Sequence, residues 1–144
     1  MRRRSTRWAG IILVFLLMAT VSADVYVWDN GASNSFWDSA YNWNTNTEPN
    51  SSNDAWINAV NDYCLIADGV TAQAKQFVLA RHDGKVNIVL EMTGGTLTAS
   101  DLVFVGQYDG SSGTLVMSGG TITTMTEMAI GVSGAGTLEM TGGT

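Results

Sequence analysis

The sequence predicts an all-β protein, a right-handed parallel β-solenoid preceded by a tryptophan-rich N-terminal cap. The motif Met-[Thr/Ser]-Gly-Gly-Thr occurs at 92–96, 117–121 and 140–144, so its spacings are 25 and 23 residues. A fixed period in this range is typical of stacked repeats. Beyond residue 23 no stretch has the 3.6-residue apolar period of a helix, whereas short apolar runs separated by glycine indicate strands and turns.

The first 23 residues predict a secretory signal peptide. Arginines precede the apolar run 9–20, and Val-Ser-Ala then predicts cleavage between Ala23 and Asp24. The run is shorter than the ~20 residues that a membrane-spanning helix needs, which disfavours the alternative of an N-terminal membrane anchor. We therefore expect a protein that is secreted to the extracellular space or the cell surface, with no membrane span in the mature chain.

Removal of the signal peptide leaves a strongly acidic chain. Lys75, Arg81 and Lys85 then face 13 acidic residues, which gives a net charge of about −10. Such a surface repels phosphates, so we expect no nucleic-acid partner. Cys64, the single cysteine, is expected to be buried as a small apolar residue, and an intermolecular link or a reactive thiol is the alternative.

Residues 24–53 differ in composition from the rest and predict the cap. The mature chain's four tryptophans all fall between residues 28 and 56, and Pro49 lies in a polar stretch that marks the boundary. The tryptophans predict either a packed aromatic cluster that closes one end of the solenoid or a platform for stacking sugar rings. These residues are Trp28, Trp37, Trp43 and Trp56.

Residues 54–144 are expected to form about three to four coils. Aligning the repeats places Leu90, Leu115 and Leu138 in one internal ladder and the three motif methionines in another, with rungs about 4.8 Å apart. The apolar runs that begin at Phe77, Val103 and Met128 align in the same way. A stack of antiparallel hairpins with Asp-Gly turns at 83–84 and 109–110 is the alternative, although the third repeat lacks that dipeptide.

The Gly-Gly pair predicts a sharp corner between two faces of the solenoid. Glycine adopts positive φ and tolerates close backbone approach, and the threonine that follows suits the start of a strand. A phosphate-binding loop is excluded because no lysine follows and no helix begins there.

The strand-end glycine, the Gly-rich loop and Gly-Thr-Leu-x-Met-[Ser/Thr]-Gly-Gly-Thr resemble the repeat associated with type V secretion and PEP-CTERM proteins, which is similar to autotransporter passengers. Residues 102–124 and 128–144 carry the pattern, whereas in 77–99 Ala80 replaces the glycine. The Trp-x8-Trp-x5-Trp spacing and Asp-Ala-Trp-Ile at 54–57 resemble the segment that precedes such repeats. The resemblance implies a large exported bacterial protein.

No residue pattern predicts catalysis, a metal or a cofactor. Glu91 and Glu139 occupy equivalent positions, but the coil between them carries Val116, so paired carboxylate chemistry is not expected. His82 is the single histidine and is expected to be a solvated loop residue. One histidine and one cysteine do not make a metal site, and the calcium-binding repeat is absent. We therefore expect no enzyme.

The last repeat stops at Thr144, where the earlier copies continue, so we expect a fragment of a longer product. The function that the sequence favours is a structural or adhesion-type spacer, the passenger stalk of an exported protein. A carbohydrate-binding module that uses the tryptophans is the second hypothesis, and part of a polysaccharide-degrading enzyme with its active site elsewhere is the third. The partners we expect are a cell-surface glycan or self-association through solenoid edges.

Overall fold

The computed structural model describes residues 22–144. The signal peptide predicted over 1–23 lies almost wholly outside these residues and stays a prediction. The described chain is nearly all β, with one short 3-10 helix, Ala40–Asn42. Its strands are β1 (Val25–Val27), β2 (Asp54–Ile57), β3 (Tyr63–Ile66), β4 (Thr71–Ala74), β5 (Phe77–Leu79), β6 (Ile88–Met92), β7 (Thr96–Ala99), β8 (Leu102–Val105), β9 (Ser112–Met117), β10 (Thr121–Thr124), β11 (Glu127–Ile130) and β12 (Ala135–Met140).

The strands form three parallel sheets that stack as a β-solenoid. The first sheet has the order β1-β2-β5-β8-β11, the second β3-β6-β9-β12 and the third β4-β7-β10. Each complete coil adds one strand to each sheet, and the chain makes about five turns. Every ladder between these strands is parallel, so the hairpin alternative is wrong.

The predicted side-chain ladders are confirmed in register. Leu115 pairs with Leu90 on one side and with Leu138 on the other, and Met117 pairs with Met92 and Met140. The first sheet follows the same rule, because Phe77 pairs with Val103 and Val103 with Met128. Like side chains therefore stack on like, and the apolar stripe that one coil cannot bury is buried by its neighbours.

Cys64 is confirmed as a buried free thiol. It heads the leucine ladder, opposite Leu90, and has no exposed surface. Burial raises the pKa of the thiol well above its usual range, with the charges of Asp62 and Asp38 acting in the same direction. The residue therefore serves as a small apolar core side chain.

The two glycines of each Gly-Gly corner have different structural roles. Gly120 has φ of 83°, which favours glycine, and Gly95 and Gly143 have φ of 65° and 86°. Gly119 has no such φ, but a Cβ there would overlap the backbone carbonyl of Thr93 on the preceding coil. One glycine therefore turns the chain and the other lets successive coils approach, which confirms and refines the predicted corner.

The tryptophan-rich segment covers the first coil. β1 pairs with β2, and Phe36 bridges Leu65 in parallel, so this segment supplies an irregular rung to two of the sheets. Asn42 is buried and braces it: its Oδ1 accepts the Ala32 amide at 2.9 Å, and its Nδ2 donates to the Phe36 carbonyl at 2.9 Å. An irregular backbone can close the core because side-chain amides satisfy its polar groups.

Over residues 22–144, no helix is long and apolar enough to cross a membrane.

Candidate functional site

Three of the four candidate tryptophans belong to the core. Trp28, Trp37 and Trp43 are at most 1% exposed. Trp43 packs edge-on against Trp28 and Trp37, with ring centroids 5.2 and 4.8 Å away, and its Nε1 donates to the Trp37 carbonyl at 3.0 Å. A sugar ring stacks on an open aromatic face, and these three residues offer none in this structure.

Trp56 differs because it lies on the outer face of β2 and is partly exposed. The guanidinium carbon of Arg81 lies 3.8 Å from the centroid of the Trp56 ring. His82 meets Trp56 edge-on at 5.8 Å and lies parallel to the Tyr108 ring at 6.2 Å. We call Trp56, Arg81, His82 and Tyr108 the corner cluster.

The corner cluster is built by the turn that leaves the first sheet. Arg81 and His82 follow β5, and the corresponding turn after β8 carries Tyr108 one coil further along. The Arg81 amide donates to Asn58 Oδ1 at 2.9 Å, and the Gln107 amide donates to the Ala80 carbonyl at 3.0 Å. Stacking of coils thus brings together residues that are 26 positions apart in the sequence, His82 and Tyr108.

The turns around the corner cluster carry both signs of charge, because Asp83 lies in the turn of Arg81 and Asp109 lies in the turn of Tyr108. Arg81 and Lys85 lie in the same turn, and Arg81 has no salt bridge to any described residue. Arg81 also acts on a carboxyl of β2: burial raises the pKa of Asp54, while Lys75 and Arg81 oppose that rise. With Tyr108 45% exposed and Arg81 partly buried, the cluster presents an aromatic ring beside one guanidinium to solvent.

The remaining candidates lie where the repeat alignment places them. Glu91 pairs with Val116 and Val116 with Glu139, so the two carboxylates are two rungs apart on the second sheet. Glu91 accepts a hydrogen bond from the Tyr63 hydroxyl, and burial followed by this bond raises the tyrosine pKa. Between residues 22 and 144 there is neither a cavity nor a group of three or more potential metal ligands.

The sequence interpretation missed the corner cluster. The signal was available, since the loops RHDGKVN and QYDGSSG align and place His82 beneath Tyr108. What the alignment could not supply is the side-chain direction that lays Arg81 on Trp56. The predicted cleavage position at Ala23 and Asp24 is not tested by the described structure.

Comparison of the chain with protein-family models, curated proteins and solved structures gave no match. The similarity to the repeat of type V secretion and PEP-CTERM proteins therefore remains a prediction, while the β-solenoid that it implies is present.

Proposed function

We propose that this chain is a rigid spacer within a larger exported protein, of the passenger-stalk type. The observation that carries the proposal is the unbroken register of the side-chain ladders, in which Cys64, Leu90, Leu115 and Leu138 follow one another on successive coils. A stack with this register lengthens by about 4.8 Å for each coil while its cross-section stays constant. That property suits a part whose task is to hold other domains at a distance.

A coil-insertion series tests the spacer function. A second copy of residues 102–126, inserted after Thr126, restores the alignment of Glu127 with Leu102 and adds one coil. Fluorophores attached near the two ends should then move apart by about 4.8 Å per inserted coil while the chain stays folded. A matched insertion of the same residues in scrambled order should not give a folded, lengthened chain. An in-register insertion that unfolds the protein, or leaves the distance unchanged, contradicts the proposal.

Export has its own test. Expression of the full chain in a bacterial host, followed by N-terminal sequencing of the exported product, should give a chain that begins at Asp24. Retention of the full-length chain in the cytoplasm or the membrane fraction contradicts export by a cleaved signal peptide.

A second candidate function is carbohydrate recognition at the corner cluster. It is favoured by the exposed ring of Tyr108 beside the Arg81 guanidinium, since sugars bind to aromatic faces flanked by hydrogen-bond donors. The test is retention on insoluble glycans of the wild-type protein, of Tyr108→Ala and of Tyr41→Ala, which removes another exposed aromatic ring. Binding that is lost only in Tyr108→Ala supports recognition at this cluster. No binding to any glycan, or equal loss in both variants, contradicts it.

A further inference from the structure

The outer face of the third sheet carries a regular array of threonines. Register places Thr71, Thr96 and Thr121 side by side on successive strands, and two residues further along each strand it aligns Gln73, Thr98 and Thr123. Thr144 extends the first column, because its hydroxyl lies 3.2 Å from the hydroxyl of Thr121. We call these seven residues the threonine face.

The first column of the threonine face is exposed to solvent. Thr71, Thr96, Thr121 and Thr144 are all exposed, and in the second column Thr98 is half-buried while its two neighbours are exposed. The residues between the columns, Ala72, Leu97 and Ile122, point into the core and fix the sheet from beneath. The array therefore rests on a packed support and is not a flexible surface.

The spacing of the array is set by the sheet. Residue positions repeat at about 4.8 Å across the strands and at about 6.6 Å along each strand, since alternate residues share a face. Threonine is stiff at χ1, so the threonines of β4, β7 and β10 that share a column are expected to take the same rotamer, whereas the Thr121 and Thr144 hydroxyls turn toward each other. Each threonine on these three strands then offers one hydroxyl and one methyl group in the same orientation, which makes this part of the face a two-dimensional lattice.

The composition of the face decides which partner it fits. None of its seven residues is charged, which disfavours an ionic polymer, and none is aromatic, which disfavours stacking on sugar rings. A partner that matches it must itself be a periodic, uncharged surface of hydrogen-bonding groups. Ordered water in ice has this chemistry, since each water molecule both donates and accepts hydrogen bonds in a repeating, uncharged array.

We infer that the threonine face binds the surface of ice, its hydroxyls joining the lattice of ordered water and its methyl groups lying between the water oxygens. This inference is independent of the spacer function, because it rests on the outer face of one sheet and not on the length of the stack.

The test is the effect of the purified, folded chain on ice growth, measured as thermal hysteresis and as retention in a growing ice front. Thr96→Tyr places a bulky side chain in the centre of the face and should abolish both effects. Thr114→Tyr is the matched control, since Thr114 lies on the outer face of the second sheet at β9 and pairs with Val89 and Thr137. It should retain both effects. Circular dichroism must show that both variants keep the β-rich fold of the wild type.

A gain-of-function variant sharpens the test. Gln73→Thr completes the second column and should increase thermal hysteresis. Absence of any ice effect in the folded wild type overturns the inference, as does equal loss in Thr96→Tyr and Thr114→Tyr. Binding of the wild type to crystalline cellulose or chitin that Thr96→Tyr abolishes, with no effect on ice, also overturns it and assigns the face to a glycan.

Discussion

Ala80 holds the same left-handed backbone conformation as Gly106, its counterpart one coil further along: φ is 59° at Ala80 and 70° at Gly106. Ala80 stands where the other two repeats carry a strand-end glycine, and the structure shows that the corner keeps its geometry there. An alanine in this conformation is strained by about 1–2 kcal/mol. The coil at Ala80 therefore tolerates a residue that the conformation disfavours.

The substitution Ala80→Gly is expected to change the free energy of unfolding by no more than about 1 kcal/mol. Relief of the left-handed strain favours glycine, but Ala80 is fully buried, so the variant loses a packed methyl group and gains flexibility in the unfolded chain. Urea unfolding followed by circular dichroism measures the difference. A destabilisation of several kcal/mol would show that the methyl group, and not the backbone, decides this position.

The reverse change, Gly106→Ala, is expected to destabilise the protein by about 2 kcal/mol or more. A Cβ at Gly106 meets the carbonyl of Ala135, because the following coil passes directly over this corner. In Gly106→Ala the backbone strain and the steric overlap with the next coil add together, whereas the native Ala80 has the backbone strain alone. Equal unfolding midpoints for Gly106→Ala and the wild type would contradict the close approach of the two coils.

The tryptophan cluster is expected to be structural. Trp37→Ala removes a ring that contacts Trp43 and Phe77 in the core, and substitutions of this kind cost about 3–5 kcal/mol. Tyr41→Ala is the control, since Tyr41 is 69% exposed and nearby in the sequence. It should change stability by less than about 0.5 kcal/mol. A folded Trp37→Ala variant with wild-type stability would contradict a closing role for the cluster.

Mild acid is expected to stabilise the fold. Burial raises the pKa values of Glu48, Asp54 and Asp62 above their ordinary range, and the charge of Asp38 adds to the rise at Glu48. The folded state then binds more protons than the unfolded state just above pH ~4, so stability falls as the pH rises through that window. The urea midpoint should therefore be higher near pH 4.5 than at pH 7.

The variant Asp62→Asn checks the origin of this pH dependence. Asp62 Oδ1 accepts the Tyr63 amide at 2.9 Å, and asparagine keeps that acceptor while removing the titration. The variant should show a flatter pH profile than the wild type. A wild-type urea midpoint that is lower at pH 4.5 than at pH 7 would contradict the raised carboxyl pKa values.

Much of the solenoid was predictable from the sequence because its repeats keep the same residues at the same positions. Leu-x-Met followed by Gly-Gly fixes both the register and the inward face, and Leu115 and Met117 follow that rule in the structure. Because successive side chains of a strand point to opposite faces, the residues between them are then assigned to the outer face. The positive φ at Ala80 could have been predicted as well, since its aligned residue is Gly106.

The corner cluster was not predictable in the same way. It depends on how Arg81 bends over Trp56 and on how His82 meets Tyr108, and these contacts join loops of different composition on different coils. The division of the tryptophans is a second example: Trp56 is on an outward strand position, while Trp37 reaches the core through an irregular segment with no period. Side-chain packing, and not periodicity, decides both.

In-register stacking of the coils can be tested most directly by disulfide trapping. In a Cys64→Ala background, Glu91→Cys with Val116→Cys places two thiols on paired positions of β6 and β9, one rung apart at about 4.8 Å, which lies within the range of a disulfide. Glu91→Cys with Glu139→Cys places them two rungs apart, at about 10 Å, beyond that range. Mild oxidation of the folded chain should link the first pair and leave the second free. Failure of the first pair to link, or ready linkage of the second, would contradict the solenoid register.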